Sequence, residues 1–146
     1  EQARQLMAYC DVRIQTMHAG TDKKQERIQF RRAARLWRDS YHRDILVATP
    51  HSLRYHLRDQ RSGLKKRLNE LRTLVIDEAD LLLDASNSMS RQVLSALQMM
   101  PSKMQRQTIL ASATFPATEM TDTLAEVLHP DHQIISTVGE YQTHLH

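Results

Sequence analysis

Cysteine occurs once in the 146 residues, glycine three times and proline four times. The single cysteine, Cys10, has no partner in the chain for a disulfide. It suits a reducing compartment, and its plain reading is a small buried residue. So little glycine and proline excludes collagen-like and low-complexity sequence. No apolar run approaches the ~20 residues of a membrane span, and no membrane partner is expected. The start, Glu1-Gln2-Ala3-Arg4, carries no apolar signal core. Aromatic residues make up 5% of the chain, too few for a base-stacking platform, so backbone recognition fits a nucleic acid better. The histidines are scattered, with His144 and His146 near the end, and no Cys/His spacing matches a zinc site. Met99-Met100 reads as core filler rather than a ligand pair.

What is present begins with a core. The length supports one domain or a piece of one, and 40% of residues are hydrophobic. The net charge of +3 hides an asymmetry. Residues 23–73 hold fifteen Lys/Arg against five Asp/Glu, and residues 74–146 hold three against nine. A basic first half suits a polyanion partner, and solvated helix faces explain it equally well.

Val12, Ile14 and Thr16 alternate as in a strand, and His18 to Asp22 turn the chain. Phe30, Ala33, Ala34 and Trp37 follow helical spacing and predict an amphipathic helix over 23–38, with Trp37 in the core. Ile45-Leu46-Val47 predicts a short buried strand. Thr49-Pro50 starts a helix bearing Leu53 and Leu57, because Thr can cap and Pro suits the first turn. Asp59 to Gly63 breaks that helix. Leu74 to Ile76 is the next strand. Ser90 is a candidate cap for a helix with Val93, Leu97 and Met100, ended by Pro101 and Ser102. Thr108 to Ala111 is another strand. Pro116 opens a helix with Met120, Leu124, Val127 and Leu128. Ile134-Ile135 predicts a last strand. Strands and helices alternate from end to end, so the expected fold is α/β, a mostly parallel sheet with helices on both faces.

Two strands end abruptly in polar residues. Leu74-Val75-Ile76 delivers Asp77-Glu78-Ala79-Asp80, and Ile109-Leu110-Ala111 delivers Ser112-Ala113-Thr114. Ligands of open α/β sheets sit outside the carboxyl ends of the strands. Of two adjacent carboxylates at such an end, one can hold Mg2+ through water while the next orients or deprotonates an attacking water. Asp80 can accept hydrogen bonds from Ser112 and Thr114 if their strands are neighbours. A lone acidic cluster would read as a solvated loop; the second polar strand end argues against that.

These residues resemble motifs II and III of the DEAD-box RNA helicases. Ile45 to Pro50 resembles the strand and Thr-Pro of motif Ib, Ala19-Gly20 sits where that family has Gly-Gly, and Glu1-Gln2-Ala3 resembles the end of motif Ia. The resemblance spans nearly the whole chain, in order. It implies that 1–146 is the C-terminal part of the N-terminal RecA-like (P-loop NTPase) domain of an ATP-dependent RNA helicase, which unwinds RNA duplexes or remodels RNA–protein complexes. It implies ATP and Mg2+ as cofactors and RNA as partner. Asp77 would bind Mg2+ and Glu78 would be the catalytic base. Asp80, Ser112 and Thr114 would couple nucleotide state to RNA. Gly20, Thr49, Pro50, His51 and Ser52 would lie along the RNA backbone. A catalytically inactive RNA- or partner-binding module is the alternative. A DNA translocase with a similar strand is a third reading, disfavoured by the Ser-Ala-Thr spacing.

The chain departs from that family at Ala19, which replaces a Gly, at Leu81, where Arg is common, and at His51-Ser52, which replaces Gly-Arg. The last change removes a permanent cation from the RNA track, since His is mostly neutral at pH 7. No G-x-x-x-x-G-K-[ST] loop is present to cradle phosphates, and the second RecA-like domain with its arginine fingers is missing. The expectation is therefore a fragment of a longer helicase or a truncated relative, inactive alone. The tail from Ser136 resembles that of organellar and mitochondrial members, which implies an intracellular, mitochondrial or other organellar location, with nuclear or cytoplasmic placement as the alternative.

Overall fold

The computed structural model describes residues 12–18, 20–36, 43–114 and 121–136. Expectations placed on residues 1–3, Cys10, Ala19, Trp37, Pro116, Met120 and the tail beyond Ser136 lie outside them.

Aliphatic and β-branched residues form the strands, and each turn between strand and helix has a local cause. β1 (Val12–Met17) leads into α1 (Lys23–Leu36), which crosses over to β2 (Arg43–Ala48). β1 and β2 are parallel, in register from Val12↔Arg43 to Met17↔Ala48. α2 (Pro50–Arg58), a 3-10 turn (Gln60–Ser62) and α3 (Leu64–Leu68) follow. β3 (Thr73–Ile76), α4 (Ala79–Leu83), α5 (Ser88–Leu97) and β4 (Gln107–Leu110) form the second crossover, and α6 (Thr121–Val127) comes last. β3 and β4 are parallel from Thr73↔Gln107 to Ile76↔Leu110. Parallel strands need such helical crossovers, because a tight hairpin cannot return the chain to the same end. The expected α/β class, with parallel strands and helices around them, is what the chain adopts.

Among the described residues the strands form two parallel pairs rather than one continuous sheet. Two apolar clusters pack on them. One joins Ile76, Ala79, Leu83, Val93, Leu124 and Val127; the other joins Met17, Leu57, Leu64 and Ala96. α5 gives Val93 to the first and Ala96 to the second, so it is the shared wall between the two halves. The strands alternate with period two, leaving Ile45, Val47, Val75 and Ile109 exposed on faces that no described helix covers.

Three local expectations are corrected. Ile134 and Ile135 form no strand; they are 79% and 86% exposed. A strand is held by its ladder, and no described strand lies beside these two. Ser90 does not cap α5: Asn87 does, its side-chain oxygen accepting from the Met89 N–H at 2.9 Å, while Ser90 is buried within the helix. Thr49 precedes Pro50 at the start of α2, but its side chain makes no capping bond. Its backbone N–H donates instead to the Met17 carbonyl at 3.0 Å, which fastens the end of β1 to the end of β2.

Asp59 to Gly63 breaks the helix as expected. Asp59 accepts from the Arg61 N–H at 3.0 Å, and Gly63 turns the chain with φ 70°. Nothing lies within 4 Å of a Cβ added at Gly63, so only the backbone opposes a side chain there. Gly63→Ala is expected to lower the unfolding free energy by about 1 kcal/mol, the cost of left-handed backbone for an L residue. A denaturant melt reads this; an unchanged midpoint contradicts it.

Candidate functional site

The ends of β3 and β4 stay joined past the last ladder pair. The Ala111 N–H donates to the Ile76 carbonyl at 2.9 Å, and the Ala79 N–H donates to the Ala111 carbonyl at 3.0 Å. Between them lie Asp77 and Glu78, both exposed. Asp77 Oδ1 accepts from the Glu78 N–H at 3.0 Å. Glu78 has φ 51° and ψ 48°, and among the described residues it is the one non-glycine with positive φ. Left-handed backbone costs an L residue roughly 1–2 kcal/mol. The return is a sharp exit from the strand: the Glu78 carbonyl at once accepts from the Leu81 and Leu82 N–H groups, each at 3.1 Å, and α4 begins. The Glu78 carboxylate makes no hydrogen bond to any described side chain. Strain of this kind, at a site where the group remains open to solvent, marks a place where position matters more than stability.

Asp80 follows within the first turn of α4 and points across to the other strand end. Its Oδ2 accepts from Thr114 Oγ1 at 2.5 Å. Ser112 Oγ donates to the Thr114 carbonyl at 2.6 Å and accepts from the Thr114 N–H at 3.2 Å, which fixes the loop after β4. Hydrogen bonds from Thr114, then from Ser112, hold the Asp80 carboxyl below the ordinary aspartate value. Asp80 therefore stays ionised and keeps accepting.

The acidic pair offers oxygen donors only. Among the described residues no group of three or more His, Cys, Asp or Glu could enclose a metal. Carboxylate oxygens are the donors that suit Mg2+, which takes one or two of them plus the substrate's phosphates. Asp77 and Glu78 are the residues that would face it.

The second rim lies at the ends of β1 and β2. Gly20 is exposed in the turn closed by the Thr21 N–H to the His18 carbonyl at 3.1 Å. Thr49 and His51 are exposed and Pro50 is half-buried. Ser52 corrects the expectation of a track residue: it is fully buried, and its hydroxyl accepts from Lys23 Nζ at 2.6 Å. An i, i+4 stripe of Ser52 and His56 faces inward on α2 beside Leu57, and a buried polar stripe is admissible because partners meet it. Those partners come from α1. Glu26, also buried, lies with Oε2 2.7 Å from His56 Nε2 and 3.0 Å from Lys23 Nζ. Burial pushes the Glu26 carboxyl up, but hydrogen bonds and charge from His56 and Lys23 outweigh it, and it titrates below an ordinary glutamate. Sequence reasoning missed this cluster. Its local trace is the i, i+3 spacing of Lys23 and Glu26; His56 is thirty positions further on.

A cavity of about 540 Å3 lies elsewhere, lined by Lys65, Arg72, Met99, Met100 and Gln105 among others. Arg72 immediately precedes β3, so this cavity is at the opposite end of the strands from Asp77 and Glu78 and takes no part in their chemistry.

The family model for DEAD/DEAH box helicases matches residues 1–123. The chain is 34% identical over 146 residues to the ATP-dependent RNA helicase mss116, mitochondrial, of Aspergillus fumigatus, covering 99% of this chain and 21% of the relative. It is 42% identical over 95 residues to the putative DEAD-box ATP-dependent RNA helicase 33 of Arabidopsis thaliana, covering 65% of this chain and 10% of the relative. To the probable ATP-dependent RNA helicase DDX4 of Homo sapiens it is 38% identical over 97 residues, covering 66% and 13%. The chain thus spans about a fifth or less of the length of these relatives. Among the described residues no helix is long and apolar enough to cross a membrane.

Proposed function

The chain belongs to the DEAD/DEAH box helicase family, and we propose that it forms the C-terminal part of the first RecA-like domain of an ATP-dependent RNA helicase. The observation that carries this reading is the pairing of two polar strand ends: Asp77 and Glu78 open to solvent on one, and Thr114 reaching Asp80 at 2.5 Å from the other. One end supplies the hydrolytic carboxylates, the other a relay to a second site.

In this reading Asp77, exposed at the end of β3, is the residue that would hold Mg2+. Mg2+ held there would supply positive charge against the negative charge of the nucleotide phosphates. Glu78 accepts a proton from the attacking water, for which its unbonded carboxylate and fixed backbone suit it. Asp80, Ser112 and Thr114 couple nucleotide state to RNA. Gly20, Thr49, Pro50 and His51 follow the RNA backbone at the other rim; the bare Gly20 backbone allows close approach, and the start of α2 favours phosphate. The phosphate-cradling loop and a second RecA-like domain are supplied by other parts of the full-length protein. The mitochondrial designation of the Aspergillus relative favours a mitochondrial location.

Replacing the Ser112 and Thr114 hydroxyls together by alanine in the full-length protein is expected to spare ATP hydrolysis more than duplex unwinding. The Thr114 hydroxyl is engaged with Asp80 and the Ser112 hydroxyl with the Thr114 backbone, so both order the loop that meets Asp80. ATP turnover and unwinding of a short RNA duplex, measured side by side, test this. If turnover falls as far as it does in Glu78→Gln, the coupling role is wrong.

A further inference from the structure

Lys23 Nζ has three acceptors within the protein. Its Nζ donates to Glu26 Oε2 at 3.0 Å, to Ser52 Oγ at 2.6 Å and to the His18 carbonyl at 3.3 Å. An ammonium has three protons, and here each has a protein acceptor. Lys23 therefore has none to offer a phosphate. The segments it joins both lie at the proposed RNA rim. His18 precedes the Gly20 turn, and its N–H donates to Glu26 Oε1 at 3.3 Å. Ser52 stands in the first turn of α2, directly behind Thr49 and Pro50. Behind the junction His56 closes the cluster on Glu26 at 2.7 Å, out of water.

Ser52 is also where the resembling motif carries arginine. The Ser52 hydroxyl touches Lys23, and Lys23 touches Glu26, so a longer cationic side chain at 52 would meet the same carboxylate from α2. In this chain the cation arrives from α1 instead. We propose that Lys23 is a positioning residue for RNA binding: it takes over the place of the absent arginine and, by bridging His18, Glu26 and Ser52, locks the Gly20 turn against the start of α2. The inference rests on the RNA-binding reading above. It reverses a simple expectation from the sequence, that adding a cation by Ser52→Arg tightens binding, because the site for that cation is already filled.

The test uses the full-length protein and a labelled single-stranded oligouridylate, with binding measured across a range of salt. Lys23→Met is expected to weaken binding by roughly ten-fold at every salt concentration, with the slope of log K against log salt unchanged, since no phosphate contact is lost. Adding Ser52→Arg to Lys23→Met is expected to recover most of the affinity. Ser52→Arg alone is expected not to tighten binding. Mg·ATP affinity, read on the same proteins, is expected to stay at the wild-type value throughout. A slope reduced by about 0.7, the signature of one lost contact to a single strand, makes Lys23 a direct phosphate ligand and overturns the proposal. So does Lys23→Met binding like wild type, or a double variant no better than Lys23→Met. If the wild-type protein itself binds no oligouridylate at low salt, the RNA-binding reading falls instead, and the two failures are told apart.

Discussion

Glu78→Gln in the full-length protein is expected to lower ATP turnover by about 10²–10⁴-fold while leaving Mg·ATP affinity close to wild type. Glutamine keeps the size of the side chain and its hydrogen bonding. It cannot take a proton from water, so the loss falls on the chemical step rather than on binding. The local geometry makes the substitution clean. The Glu78 side chain has no described partner to lose, and its N–H bond to Asp77 at 3.0 Å and its carbonyl bonds into α4 belong to the backbone. Asp77→Asn is expected to give the contrasting pattern, because it removes the charge proposed to hold the metal and should weaken productive Mg·ATP binding. A further contrast comes from φ 51° at Glu78. Glu78→Gly loses the base but relieves left-handed strain, so it is expected to be inactive and yet more stable by about 1 kcal/mol. Parallel measurement of turnover, nucleotide affinity and thermal unfolding resolves all three. Turnover in Glu78→Gln equal to wild type removes Glu78 from the chemistry.

Glu26→Ala is expected to lower the unfolding free energy by on the order of 3 kcal/mol, because it leaves the buried His56 and the Lys23 ammonium without the carboxylate both use. Acid should reveal the same group. The folded Glu26 carboxyl titrates below the ordinary 4.5, so the unfolded chain takes up its proton first as pH falls. The stabilisation is fully present above that ordinary value and is lost as pH drops through the folded one. Wild-type stability is thus expected to fall on acidification below about 4.5. In Glu26→Gln, which has no proton to gain, this part of the fall should be missing. Chemical denaturation at neutral pH and at several acid values checks both parts. An acid limb identical in the two proteins contradicts the assignment.

The elements that sequence reasoning places well are those with strong local signals. β3 and its neighbour β4 are short apolar runs between turn residues, and α2 starts at a Thr-Pro pair and ends at the polar break from Asp59 to Gly63. Asp77, Glu78, Ser112 and Thr114 were legible because polar residues at the ends of parallel strands gather in one place whatever the rest of the fold does. The meeting of Asp80 with Thr114 needed only that β3 and β4 be neighbours. Ser52 was misplaced for a non-local reason. Leu53 and Leu57 define an inward face on α2 that also takes in 52 and 56, and polar residues belong there only when Lys23 and Glu26 arrive from another helix. Asn87 and Ser90 are both good capping residues, and nothing local decides between them; the side chain that reaches the Met89 N–H wins. The Ile134-Ile135 strand failed because propensity without a pairing partner fixes no strand. The left-handed turn at Glu78 had no sequence trace at all, since glutamate is an uncommon choice for it.

The proposed function requires that the paired strand ends hydrolyse ATP in response to RNA. The most direct measurement is phosphate release by the full-length protein with Mg·ATP, with and without single-stranded RNA, for wild type and Glu78→Gln. The expected result is release that RNA stimulates in the wild type and that Glu78→Gln abolishes under both conditions. Release that ignores RNA, or that survives in Glu78→Gln, contradicts the proposed function.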